Sequence, residues 1–201
     1  MNANLPKRNG FLSAWLGRAV LRTLGWQIQG TLPDFPKSVL IVAPHTSNWD
    51  FIVGIAAMLS LRLAANWLGK SSLFFWPLGA LLRRLGGIPV DRSSPQGTVD
   101  QVVDLFKNRE QIVLGLSPEG TRKKVNTWKT GFYQIALGAG VPVVLISLDY
   151  SKRILGIGPS LNPSGDLEKD LQKVRAYYSV VQGKHPELFT LPGEPAVKKQ
   201  E

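Results

Sequence analysis

At 201 residues the chain can bury one hydrophobic core of ordinary size, which argues against two full domains. Hydrophobic residues make up 44% and charged ones 19%, under the roughly 25% usual for soluble domains, so part of the apolar surface is expected to meet a membrane or a lipid. Lys and Arg number 24 against 14 Asp and Glu, a formal charge of +10 whose field attracts anionic headgroups, phosphorylated substrates or nucleic acid, and the lack of cysteine excludes disulfides, thiolate metal sites and a Cys nucleophile.

The N-terminus has the charge and the short apolar run of a signal peptide, but Arg18 and Arg22 interrupt the run and no clean cleavage site follows, so it reads as retained. From Leu12 to Trp26 the apolar residues Leu12, Trp15, Leu16, Ala19, Val20 and Leu24 share one broad face while Arg18 and Arg22 lie on the other. That is an amphipathic helix, suited equally to packing on a core and to lying among lipid headgroups.

After the Pro-bearing segment 32–37, Val39–Ala43 reads as a buried strand and Asp50–Leu61 as a helix capped by Ser47 or Asn48. Ala65–Gly69 and Ile88–Val90 read as short strands, Leu73–Leu85 as a helical stretch interrupted near Pro77, Pro95–Asn108 as a helix and Ile112–Leu116 as a strand. Thr130–Leu148 is uncharged for 19 residues, nominally enough to span a bilayer, but Gly138, Gly140 and Pro142 divide it into a helix over 130–137 and a strand over 141–148. An edge strand over Ile154–Ile157 and a charged helix over Leu167–Val180 complete the pattern. Alternating strands and helices predict a single α/β domain, a mainly parallel sheet covered by helices, preceded by the N-terminal amphipathic helix. The expected division is a tail and interfacial helix over 1–37, the main domain over 38–191 and a flexible tail over 192–201, with disorder expected at about 1–9 and 192–201.

His45 follows the first strong strand, in Ala43-Pro-His-Thr-Ser-Asn-Trp-Asp50, where α/β sheets place their sites. A hydroxyl attacks a carbonyl poorly near neutral pH unless a base takes its proton, and imidazole has a suitable pKa. Asp50 can accept the other ring N–H and fix the tautomer, as in a catalytic triad whose serine is replaced by the substrate's hydroxyl. The plainer alternative has His45 capping a loop and Asp50 opening a helix.

Two further segments follow in order: Gly86-Gly-Ile-Pro-Val-Asp-Arg92 and Ser117-Pro-Glu-Gly-Thr-Arg122. With His45 and Asp50, and with Val141-Pro-Val-Val-Leu-Ile146 as a last block, they resemble the glycerolipid acyltransferase family, of which lysophosphatidic acid acyltransferase is the best-known member. The resemblance covers about residues 39–146, and Pro118–Arg122 is its most specific part. It implies that His45 and Asp50 are the catalytic pair and that Arg92, Glu119, Gly120, Thr121 and Arg122 help bind the acceptor. Guanidinium groups grip phosphate bidentately, which suits Arg92 and Arg122 to a headgroup. The chain departs from the family where Pro44 replaces a frequent Asn, Pro89 a frequent Phe, Ser117 a Phe, Lys123 a Ser, and Leu145 a frequent second Pro.

Trp15 in the first helix and Phe74, Phe75 and Trp76, flanked by Lys70, Arg83 and Arg84, are the candidate membrane or acyl-chain contacts; a core helix is the alternative for 71–82. Lys123, Lys124, Trp128 and Lys129 form a second basic and aromatic patch, suited to lipid phosphates, the phosphates of coenzyme A or an acidic carrier protein. Gly115-Leu-Ser-Pro-Glu places Glu119 where a nucleophile elbow needs Gly, so Ser117 is a poor nucleophile; His185 reads as a surface histidine.

The expected activity is transfer of a fatty acyl group from an acyl thioester to a hydroxyl of a lysophospholipid-like acceptor. Coenzyme A or an acyl carrier protein enters only as part of the donor, and no metal is expected. The expected place is cytoplasmic, peripheral at an anionic membrane surface, with no nucleic acid partner. Two alternatives remain open on sequence: a thioesterase or lipid hydrolase on the same scaffold, and a non-catalytic basic module that binds membranes or nucleic acid.

Overall fold

In the computed structural model, which describes residues 4–90 and 95–193, strands β1 (Gln27–Gln29), β2 (Lys37–Ala43), β3 (Ala65–Lys70), β4 (Gly87–Val90), β5 (Ile112–Leu116), β6 (Val143–Asp149) and β7 (Ile154–Leu161) form one sheet. Their spatial order is β1-β7-β6-β2-β5-β3-β4, and every pair is parallel except β6 with β7. The helices are α1 (Phe11–Thr23), α2 (Asn48–Ser60), α3 (Leu78–Arg84), α4 (Pro95–Lys107), α5 (Gly131–Ala139) and α6 (Leu167–Tyr178). The expected single α/β domain with a mainly parallel sheet is therefore what the chain forms.

The apolar runs become strands because both faces of the sheet are covered. Along β2 the side chains alternate. Val39, Ile41 and Ala43 pack with Val102 and Phe106 of α4, Phe132 and Ile135 of α5, and Val174 and Tyr178 of α6. Leu40 packs on the opposite face with Val53, Ala56 and Met58 of α2 and Leu21 of α1. The helix after β2 thus lies on one face, while the helix after its neighbour β5 lies on the other. Adjacent strands whose connections leave in opposite directions open a crevice at their carboxyl ends.

Helix α1 is part of this body. A Cβ at Gly17 would lie 2.5 Å from the Ala56 carbonyl oxygen, so the glycine lets α1 press directly onto α2. No helix among the described residues is long and apolar enough to cross a membrane. The 130–148 run divides as expected, with Gly140 in the left-handed region (φ 64) between α5 and β6.

Three expectations need correction. Ile154–Ile157 is not an edge strand: β7 extends to Leu161 and is flanked by β1, a three-residue strand whose polar Gln-Ile-Gln sequence gives no strand signal. Residues 4–9 are not loose, because Asn4 and Leu5 backbone N–H groups donate to Asp34 Oδ1, Leu5 and Pro6 are buried, and Lys7 bridges to Leu63. Trp128 is not in a surface patch; it is buried edge-on against Tyr178, 5.4 Å between ring centroids, with its indole N–H donating to the Thr190 carbonyl at 2.7 Å.

Candidate active site

Local rules place the first two residues. Ser47 caps α2, its hydroxyl oxygen accepting the Trp49 N–H at 3.2 Å, and Asp50 in the first turn reaches back so that its Oδ2 accepts the Ser47 N–H at 2.7 Å. The carboxylate is thereby held beneath the strand-to-helix loop, where the helix dipole favours its charge. The same oxygen lies 3.3 Å from Nδ1 of His45, so the spacing of four intervening residues is what a helix cap imposes on an imidazole in the preceding loop. Asp50 is 1% exposed and His45 21%, so the acid is sealed while the ring has an open side. With Nδ1 turned to Asp50, Nε2 is the nitrogen left to exchange a proton with a substrate.

A second carboxylate lies behind the loop. Glu119, just past β5, is 1% exposed, and its Oε1 accepts the His45 backbone N–H at 2.8 Å. Its Oε2 is buried without a hydrogen-bond partner among the described residues, as is the Ser117 hydroxyl. Burial pushes the Glu119 carboxyl up to about 7, with the nearby Asp50 charge adding to the rise and the His45 N–H opposing it. Glu119, expected to help bind the acceptor, thus faces inward and holds the backbone of His45. The reason is the turn itself: Gly120 adopts φ 67, and a Cβ there would come 3.0 Å from the Lys129 side chain. Thr121 is half-buried, its hydroxyl accepting the Lys123 N–H at 3.2 Å, and Arg122, Lys123, Lys124 and Lys129 are exposed on this loop. Arg92 lies outside the described residues.

Two contributors had no local signal in the sequence. Tyr150, immediately after β6, donates its hydroxyl to Asp50 Oδ1 at 2.5 Å. Segment 182–185 packs over the His45 loop, since the His185 N–H donates to the buried Thr46 hydroxyl at 3.1 Å and a Cβ on Gly183 would meet Pro44 at 2.9 Å. The His185 ring itself is exposed beside Glu187.

Trp15 stands outward on α1 with Phe11, Leu12 and Leu16, and Phe75 and Trp76 stand outward before α3. Phe74 does not join them; it is half-buried against Trp67 beneath Arg83. Arg8, just before α1, donates to the carbonyl of Arg84 at the end of α3 at 2.8 Å.

An imidazole, a sealed carboxylate and a glycine turn thus lie together at the carboxyl end of a mainly parallel sheet. The fold resembles the crystal structure of the 1-acyl-sn-glycerophosphate acyltransferase PlsC from Thermotoga maritima, with a TM-score of 0.59 at 22% identity over 81% of this chain and 73% of that one. In sequence the chain is 25% identical to the 1-acyl-sn-glycerol-3-phosphate acyltransferase of Haemophilus influenzae over 86% of its own length and 79% of the relative's. It is 32% identical to the enzyme of that name from Escherichia coli over 53% of this chain, and spans less than half (45%) of that relative. The family model described as Acyltransferase matches residues 28–149, a stretch that runs from β1 to the end of β6 and takes in His45, Asp50 and the 117–122 loop, and the chain belongs to that family.

Proposed function

We propose that this protein transfers a fatty acyl group from an acyl thioester to the free hydroxyl of a 1-acyl-sn-glycerol-3-phosphate-like acceptor. The observation that carries the reading is the partly open His45 imidazole with Nδ1 turned to the sealed Asp50 carboxylate, 3.3 Å away. Nε2 takes the proton as the acceptor oxygen adds to the thioester carbonyl. The tetrahedral oxyanion then collapses, the carbon–sulfur bond breaks, and the imidazolium returns its proton to the departing thiolate. Asp50 holds the ring and stabilises the imidazolium. Nothing in these steps calls for an enzyme ester or a metal, and coenzyme A or an acyl carrier protein serves as the donor's leaving group. The separation of 3.3 Å is slightly long for a formed hydrogen bond, which is usual before substrate tightens such contacts.

Arg122, with Thr121 and the Gly120 turn beside Lys129, is assigned to the acceptor phosphate, joined by Arg92 from the preceding block. Glu119 is assigned to the support of His45. The outward Phe11, Leu12, Trp15 and Leu16, with Phe75 and Trp76, are assigned to the membrane that supplies the acceptor, with Arg18, Arg22, Lys70, Arg83 and Arg84 meeting anionic headgroups.

The direct test incubates the purified protein with acyl-coenzyme A and acyl carrier protein thioesters and a panel of lysophospholipids, followed by mass analysis of the lipids. Acyl mass gained by lysophosphatidate supports the reading. Release of free fatty acid at a rate that acceptor does not reduce would assign the site to hydrolysis instead.

A further inference from the structure

Asp50 does not stand alone behind His45. Its Oδ2 is shared by the Ser47 N–H and the imidazole, and its Oδ1 receives the hydroxyl of Tyr150 at 2.5 Å, within the range of a charge-assisted O–H···O⁻ bond. Tyr150 is distant in sequence, 100 residues along the chain, and is delivered by β6, the strand hydrogen-bonded to β2. Its ring and its backbone are each held by a neighbour. Trp26, just past α1, packs edge-on with centroids 4.8 Å apart, and the Tyr150 N–H donates to the Gln182 carbonyl at 2.8 Å. The phenol therefore cannot leave Asp50 without disturbing its packing against Trp26. Burial and the neighbouring Asp50 charge both raise the Tyr150 hydroxyl's pKa, so it stays a donor throughout the working range.

We propose that Tyr150 is a positioning residue for the acyl-transfer reaction, holding Asp50 in the rotamer that faces His45 and setting how strongly the carboxylate pulls on the imidazolium. The proposal rests on His45 being the base. A carboxylate with one oxygen left bare can turn away from the ring, and while it still faces the ring it is the more basic for lacking the phenol's hydrogen bond. Among the described residues, the ionisable group that also acts on the pair is Glu119, which reaches it through the His45 backbone N–H and is kept in every variant compared.

The experiment compares wild type, Tyr150→Phe and His45→Ala as full-length proteins, following thiol release from an acyl-coenzyme A with lysophosphatidate as acceptor between about pH 5.5 and 9. Measurements are made at a temperature where circular dichroism shows each protein folded. Tyr150→Phe is expected to lower kcat on the order of 10-fold, a fraction of a full general-base contribution, with KM for both substrates within about twofold. The acid limb of the kcat profile is expected to move to higher pH, because a more basic carboxylate holds the imidazolium proton more firmly. A folded Tyr150→Phe protein with wild-type kcat and acid limb, or a loss carried by KM alone, would overturn the assignment. Should that variant not fold, 3-fluorotyrosine at position 150 keeps the shape and strengthens the donor, so the limb should move to lower pH; an unmoved limb overturns the proposal equally. An active His45→Ala protein would instead remove the base on which the proposal stands. An inactive His45→Ala protein beside a Tyr150→Phe protein indistinguishable from wild type removes the role of Tyr150 alone.

Discussion

Around His45 both carboxylate oxygens of Asp50 are occupied and the His45 backbone N–H is tied down, whereas along α1 and the segment before α3 large apolar side chains stand in the open. Trp15 is 61% exposed and Trp76 87%, while Asp50 is 1% exposed. The contrast separates what the chain completes for itself from what it leaves to a partner. A proton-transfer geometry must be fixed before substrate arrives, so its contacts are internal. An apolar face with arginines beside it is costly in water, which suits the proposed contact with a lipid surface.

That contrast can be broken at either end. The largest effect is expected from the open face: replacing Trp15 and Trp76 together by Ser removes two indoles worth about 2 kcal/mol each on burial. Partition onto vesicles containing anionic lipid should fall by at least about 100-fold, with the thermal midpoint nearly unchanged because neither ring packs inside. Sedimentation with vesicles reads the first and calorimetry the second; a fall in the midpoint without loss of binding would show the rings to be core after all.

Next comes Glu119. Its folded carboxyl sits at about 7, above the ordinary glutamate value of 4.5, so the folded state is favoured by this group below about pH 4.5 and loses that advantage as pH rises through 7. Glu119→Gln keeps an acceptor for the His45 N–H and cannot ionise. Its stability relative to wild type should therefore improve between pH 4.5 and 8, by about 3 kcal/mol at most. Urea midpoints across that range check the slope, and a difference independent of pH would contradict the sealed environment. The smallest effect is assigned to Arg122→Ala, which should raise acceptor KM on the order of 10-fold, the value of a solvent-accessible charge-assisted bond to phosphate. Donor KM should stay near wild type, and a change confined to the donor would move Arg122 to the other substrate.

Much of this architecture is legible in the residues because β2, β5 and β6 are buried on both faces and so read as unbroken apolar runs. The His45–Asp50 pairing is legible for the same kind of reason: it uses a helix cap, which is local. Tyr150 is not, since nothing near it in the chain marks a partner 100 residues away that only strand order brings close. Glu119 stands out in the sequence as part of a motif but not as a buried residue, because Pro-Glu-Gly reads as a surface turn until the sheet shows which way the turn folds. Strands β1 and the outer half of β7 stay hidden for a compositional reason: Gln27 and Gln29 are polar, and Gly156, Gly158 and Pro159 resemble a loop.

The central claim is that His45 removes a proton from a lipid hydroxyl, and the rate of acyl transfer by His45→Ala tests it most directly. With purified variant shown folded by circular dichroism, saturating acyl-coenzyme A and lysophosphatidate, kcat is expected to fall by at least about 100-fold. Transfer at the wild-type rate by that protein would contradict the account.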